Sequence, residues 1–282
     1  MKTYQDFLEV AEKSDRERME FVLSAINNHK DSDLYKQAVI AKEYDAHRNV
    51  TIANFQKLLY TLNGKVIPDN YSPNYKLRSN FFANFITQET QYLLGNGVTL
   101  KKEENKAKLG AGFDTRLQDA AHDALVGGVS YGFWNLDHLE VFDVTEFVPL
   151  LDEENGALRA GVRFWQVCTS KPLRATLFEP DGFTQYIRRS GEEMMILEPK
   201  RGYVAVEATS EIDGTELLAY QNYPGFPIIP MYGNRAKQSE FVGQREAIDC
   251  YDLIKSGFAN TVDDASVIYW TISNAGGMDE ID

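Results

Sequence analysis

Basic side chains are scarce. The 282-residue chain carries 29 Lys and Arg against 42 Asp and Glu, a formal net charge of −13 at pH 7. Holding a nucleic-acid backbone without sequence preference needs clustered Lys and Arg, so this surface as a whole repels phosphates. Cysteine is almost missing too. Cys168 and Cys250 lie far apart with no CxxC or Cys/His spacing, which excludes a disulfide framework or zinc site and predicts reduced thiols in a core. The four histidines, His29, His47, His122 and His138, are scattered and read as surface or packing residues, with no HExxH pair among them. Long apolar runs are also lacking. The longest uncharged stretch, Leu217 to Asn234, contains Pro224, Pro227 and Pro230, and three prolines rule out a simple membrane-spanning helix. Met1 to Asp6 leads into charged sequence rather than an apolar signal segment, so synthesis in the cytoplasm is expected.

What is present suits a globular chain of one large or two medium domains: 43% hydrophobic and 25% charged residues,. The first half has helical periodicity. From Asp6 to Ile26, Phe7, Leu8, Val10, Ala11, Met19, Val22, Leu23 and Ile26 recur at helical intervals, predicting one long or two short amphipathic helices. A helix follows from Asp33 to about Tyr44. Another is expected from Tyr75 or Lys76 to Gly95, with Gly95 as its left-handed stop, and a fourth from about Asp114 to Leu125 before Gly127-Gly128,. From Val129 onward, short β-rich runs alternate with turn signals: Asp152-Glu153-Glu154-Asn155-Gly156, Pro180-Asp181-Gly182, Ser190-Gly191 and Asp213-Gly214,. Strands without intervening helices form antiparallel hairpins, so the fold class is α+β. Helical spacing returns after Asn234, with Phe241, Ile248, Tyr251, Ile254, Phe258 and Val262 on one side of a helix to about Ala265. A last strand is expected over Val267 to Ile272.

No local motif selects a catalytic pair among the many carboxylates. Asp263-Asp264 reads as a solvated pair near a helix end before it reads as a magnesium site,. Gly95-Asn96-Gly97 follows a helix rather than a strand and lacks the Lys-Ser/Thr of a phosphate loop,. Gly128-Val129-Ser130-Tyr131-Gly132 matches the nucleophile-elbow string, yet a helix ends and a strand begins there, the reverse of the context that chemistry needs,. A hydrolase using Ser130 or a carboxylate pair is therefore the alternative from another class.

Two stretches carry a resemblance. Asn80-Phe81-Phe82-Ala83-Asn84-Phe85-Ile86-Thr87-Gln88-Glu89-Thr90-Gln91-Tyr92-Leu93-Leu94-Gly95-Asn96-Gly97 resembles the portal proteins of tailed bacteriophages, whose helix ends in a Gln-Tyr-Leu-hydrophobic-Gly turn. Phe226-Pro227-Ile228-Ile229-Pro230-Met231-Tyr232-Gly233-Asn234, followed by Ala247-Ile248-Asp249-Cys250-Tyr251-Asp252, is similar to that family's Pro-Ile-Ile-Pro segment and Leu-Ile-Asp-x-Tyr helix. Gly233-Asn234 stands where the family has Asn-Asn.

The resemblance implies a wing domain over residues 1–238, with helices over 6–125 and a β-rich part over 129–230, then a stem helix over 239–265 and the start of a clip over 266–282. It implies a non-enzymatic subunit, without cofactor or metal, of a ring at one capsid vertex, commonly dodecameric in the virion. Double-stranded DNA passes through such a ring without sequence-specific binding. The implied partners are further copies of the chain, the terminase large subunit, the head-to-tail adaptor, and the major capsid and scaffold proteins; no membrane is involved. Another phage structural protein that meets the portal, such as an adaptor, is a further alternative. The family's remaining clip, second stem helix, tunnel loop and crown do not follow, which reads as a truncated record or gene. Arg245, Asp249, Asp252, Lys255, Asp263 and Asp264 are the candidates for channel wall or subunit contact. Ile268, Tyr269, Trp270 and Ile272 are those for clip and docking contacts. From Ser239 to Asp282, nine acids stand against Arg245 and Lys255, so much of the negative charge falls on the implied stem and clip.

Overall fold

The computed structural model describes residues 2–209 and 216–266. The first amphipathic stretch is two helices, α1 (Tyr4–Ala11) and α2 (Asp15–Lys30). Each starts at a capping box, Thr3 with Asp6 and Ser14 with Glu17, and the second box breaks the run,. Ser32 caps α3 (Asp33–Asp45), and α4 (Val50–Asn54) is short. Next comes a hairpin of β1 (Leu58–Tyr60) and β2 (Val66–Pro68), which the helical reading of this region omitted.

Helix α5 (Phe81–Leu94) starts later than its apolar stripe predicts. Residues 75–80 are not helical, and two of their backbone N–H groups donate to side chains of the last helix, Tyr75 to Asn260 and Leu77 to Ser256. Gly95 is not left-handed (φ −58°); the left-handed residue is Gly97 (φ 69°). A short α6 (Glu103–Ala107) precedes α7 (Phe113–Gly127), which ends on Gly128 at φ 89°. A Cβ at Gly128 would lie under 3 Å from the backbone of Gln238 and Ser239. Only glycine lets the chain turn from α7 into a strand there while the segment leading to the last helix passes alongside.

The sheets are antiparallel, as the α+β class requires. Strands β3 (Val129–Asn135) and β4 (His138–Asp143) pair in the order β12-β3-β4, with β12 (Ile228–Tyr232) on the edge. Pro230 is tolerated there because an edge strand can lack a donor on its open side. Five consecutive strands form a meander: β5 (Phe147–Leu151), β6 (Leu158–Trp165), β7 (Leu173–Glu179), β8 (Gly182–Arg188) and β9 (Met194–Arg201). Strands β10 (Val204–Thr209) and β11 (Glu216–Gln221) make a separate hairpin.

Three buried clusters hold these layers together. Helices α1 and α2 lay Phe7, Phe21, Val22 and Ile26 on Leu150, Val162, Leu177 and Tyr186 of the meander. Phe133, Phe142, Phe147, Phe178 and Tyr203 form an aromatic cluster that joins the two larger sheets. Tyr44, Phe82, Ile86, Leu125, Val126, Phe241 and Ile248 join the helices. His29 is buried in the body and hydrogen-bonds to the Val144 carbonyl at 2.7 Å, with burial lowering its pKa. Both cysteines are exposed thiols rather than core residues: Cys168 lies outside any strand after β6, and Cys250 is on the outer side of a helix. No described helix is long and apolar enough to cross a membrane.

Candidate subunit-contact surface on the last helix

The chain enters this region through Ser239, whose buried Oγ accepts from the Phe241 N–H and starts a 3-10 turn over Glu240–Gly243. Helix α8 (Arg245–Ser266) follows, so its start lies beyond the expected Ser239 or Phe241. Phe241 anchors it, with ring centroids 4.4 Å from Tyr44 and 5.1 Å from Phe82, and Ile248 fills the same cluster.

Beyond Ile248 the inward face turns polar. Asp249 accepts from Thr51 at 2.7 Å and from the Tyr44 hydroxyl. Asp252 is fully buried and accepts from Asn49 Nδ2 at 2.5 Å, while the same amide donates to the Ser79 carbonyl at 3.1 Å. Ser256 accepts from Leu77 N at 2.9 Å, Asn260 from Tyr75 N at 2.7 Å, and Asp263 from the Tyr75 hydroxyl at 3.4 Å. Steps of three, four, four and three residues put these five side chains on one helix face. Burial raises the Tyr44 pKa, and the adjacent Asp249 carboxylate raises it further.

The opposite face is apolar. Tyr251, Ile254, Phe258 and Val262 are 45%, 66%, 72% and 54% exposed. At 3.6 residues per turn Ile254 and Phe258, the middle of this stripe, lie roughly opposite Asp252, Ser256 and Asn260. Phe81 of α5 packs edge-on to Tyr251 at 4.9 Å and stacks with Phe85, extending the stripe onto a second helix. A surface helix normally buries its apolar face; α8 shows it outward and fastens itself by hydrogen bonds.

The candidate residues divide accordingly. Asp252 faces the chain's own interior and has no exposure. Asp249 is held largely within the chain by Tyr44 and Thr51, with Arg245 Nε 3.5 Å away on the next turn. Lys255 is exposed, its Nζ 6.0 Å from the Tyr251 ring. Asp264 is exposed, 3.9 Å from Lys57. Ile268, Tyr269, Trp270 and Ile272 lie outside the described residues. Sequence reasoning missed Asn49, Thr51, Ser256 and Asn260, although the three-to-four spacing from Asp249 to Asn260 was a visible signal.

The Ser130 form of the hydrolase alternative loses its basis. Ser130 is fully buried in β3 and donates its hydroxyl to the Ala120 carbonyl at 2.7 Å. Among the described residues, no group of three His, Cys, Asp or Glu side chains could hold a metal ion.

A family profile described as "Phage portal protein, SPP1 Gp6-like" matches residues 24–282. Comparison with curated protein sequences gives no match.

Proposed function

The chain belongs to the SPP1 Gp6-like phage portal protein family, and on that premise we propose that it is the repeating subunit of a ring channel through which double-stranded DNA enters and leaves a capsid. The family is a structural one, and the role proposed is non-enzymatic. The observation that carries the ring is the inverted helix. A stripe of four large apolar residues on α8, continued by Phe81 and Phe85, suits an interface between proteins better than water,. Copies related by a ring operator would cover it, each pairing one surface with a different surface of the next.

On this reading residues 1–238 are the wing, 239–265 the stem and 266–282 the start of the clip, where terminase and then the adaptor dock. Arg245, Lys255 and Asp264 are the polar stem residues offered to neighbours or the channel, while Asp263 also accepts from the Tyr75 hydroxyl. Ile268, Tyr269, Trp270 and Ile272 are the docking candidates. An acidic lining would repel phosphates within a Debye length of roughly 8 Å at physiological salt, letting DNA slide without adhering.

Electron microscopy and particle sizing of the full chain test the proposal. Rings with a central hole are the expected result, and a protein that stays monomeric at high concentration contradicts it. Replacing Asp264, Asp279 and Glu280 by Lys in assembled rings tests the lining: packaging should slow, and unaffected packaging would reduce the charge to ordinary surface.

A further inference from the structure

Residues 75–80 are where local sequence and fold disagree most. Between Pro73 and Gly95 the chain has no further proline or glycine. Leu77 lies four residues before Phe81 and eight before Phe85, the spacing of one helix side. Lys76, Leu77 and Arg78 are good helix formers,. The helix nevertheless waits for Phe81, and Asn80 before it supplies no side-chain cap. Asn74 stands where the cap of a longer helix would stand. Among the described residues its Oδ1 is buried and accepts no hydrogen bond. A capping side chain accepts from an N–H two or three residues on. The Leu77 N–H that Asn74 would take is the one that Ser256 Oγ now holds at 2.9 Å.

We propose that residues 75–80 are a two-state strap, either docked on α8 as here or wound into the first turns of a longer α5, with the hold of α8 choosing between them. Three contacts besides Ser256 keep it docked. Asn260 accepts from Tyr75 N at 2.7 Å, Lys76 Nζ donates to the Ala53 carbonyl at 2.6 Å, and Asn49 donates to the Ser79 carbonyl at 3.1 Å. Winding would give up the bonds to α8. In exchange, the Phe81, Phe82 and Ala83 N–H groups, which open α5 and lack an intrahelical acceptor there, would gain the carbonyls of Leu77, Arg78 and Ser79. Lys76 and Arg78 oppose winding, because cations are disfavoured near a helix N-terminus. Hydrogen bonds are thus exchanged rather than lost, and a modest change at α8 shifts the population. Winding lengthens α5 by roughly 9 Å and sets Leu77 in line with Phe81 and Phe85, so release by α8 is felt at α5. The strap is a property of the single chain and does not depend on the ring.

The test is Ser256→Ala with Asn260→Ala in the full chain, read by alpha-carbon NMR shifts and amide hydrogen exchange. Residues 75–80 should move to helical shifts, and the amides of Phe81, Phe82 and Ala83 should exchange at least tenfold more slowly than in the unaltered chain. Adding Asn74→Ala should reverse most of that change. Lys76→Glu with Arg78→Glu is a second variant that leaves α8 intact. Both side chains are exposed, and acids near a helix N-terminus favour the wound state, so the same slowing is expected. Faster exchange with coil-like shifts throughout residues 75–83 would show that the strap only frays, and would overturn the proposal. Shifts unchanged in both variants would overturn it too, as would helical shifts undiminished by Asn74→Ala. Any of these leaves the ring reading standing, and a chain that forms no rings leaves the strap standing.

Discussion

The meander with its covering helices and the terminal helix with its supporting loop solve the same problem in opposite ways. In the first, α1 and α2 turn Phe7, Phe21 and Ile26 inward and leave most of their charges in water, Arg18 excepted. In the second, α8 turns Asp252, Ser256 and Asn260 inward and leaves Ile254 and Phe258 in water. Apolar burial is nondirectional and tolerant, and it makes a body that needs no neighbour. Hydrogen bonds to fixed backbone donors are directional, so they set the rotation of α8 about its axis and hold its apolar side outward. The body is built to be stable and the helix is built to be presented.

Breaking the body should have the largest effect on the lone chain. Phe142 has no exposure and lies about 6 Å from the rings of Phe133, Phe147 and Phe178. Phe142→Ala should lower unfolding free energy by about 3–5 kcal/mol, read from the urea midpoint. Asn49→Ala attacks the polar side of the comparison. It removes the donor to Asp252 and to the Ser79 carbonyl, and should remove about 2–3 kcal/mol. Hydrogen exchange should then speed up along α8 and residues 75–79 while the meander stays protected.

A smaller effect comes from a charge contact on the body side. His122 Nε2 lies 3.4 Å from Asp45, and Nδ1 lies 3.7 Å from Asp123. The neighbouring Asp123 and Asp45 carboxylates raise its pKa from 6.5 to about 9. A raised histidine pKa stabilises the fold fully below pH 6.5, and that contribution is lost as pH rises through 9. With solvent screening the difference is on the order of 1 kcal/mol, and His122→Gln should flatten stability over that range. Least of all, Phe258→Ser should change the stability of the lone chain by under about 0.5 kcal/mol, because its side chain is already in water. The same substitution should weaken assembly.

The sequence made the body legible because its periods agree with burial. Asp152-Glu153-Glu154-Asn155-Gly156 and Ser190-Gly191, read as turns, separate β5 from β6 and β8 from β9. Where local pattern and tertiary contact disagree, the reading failed. Tyr75 and Leu77 continue the stripe of α5, but Asn260 and Ser256 capture their N–H groups, so the helix waits until Phe81. The β1–β2 hairpin had a signal, Asn63-Gly64 between alternating apolar residues, that the helical reading of the first half obscured,. For α8, periodicity marked an apolar side but could not say whether it faced the core or a partner. Only the partners of Asp249 and Asp252, distant in sequence, decide that.

Side-chain labelling by hydroxyl radicals tests the outward-facing stripe most directly. Tyr251 and Phe258 should label readily in the lone chain and become strongly protected in assembled rings, while Tyr44 and Phe82 stay protected in both. Tyr251 and Phe258 already protected in the lone chain, or labelled equally in both states, would contradict it.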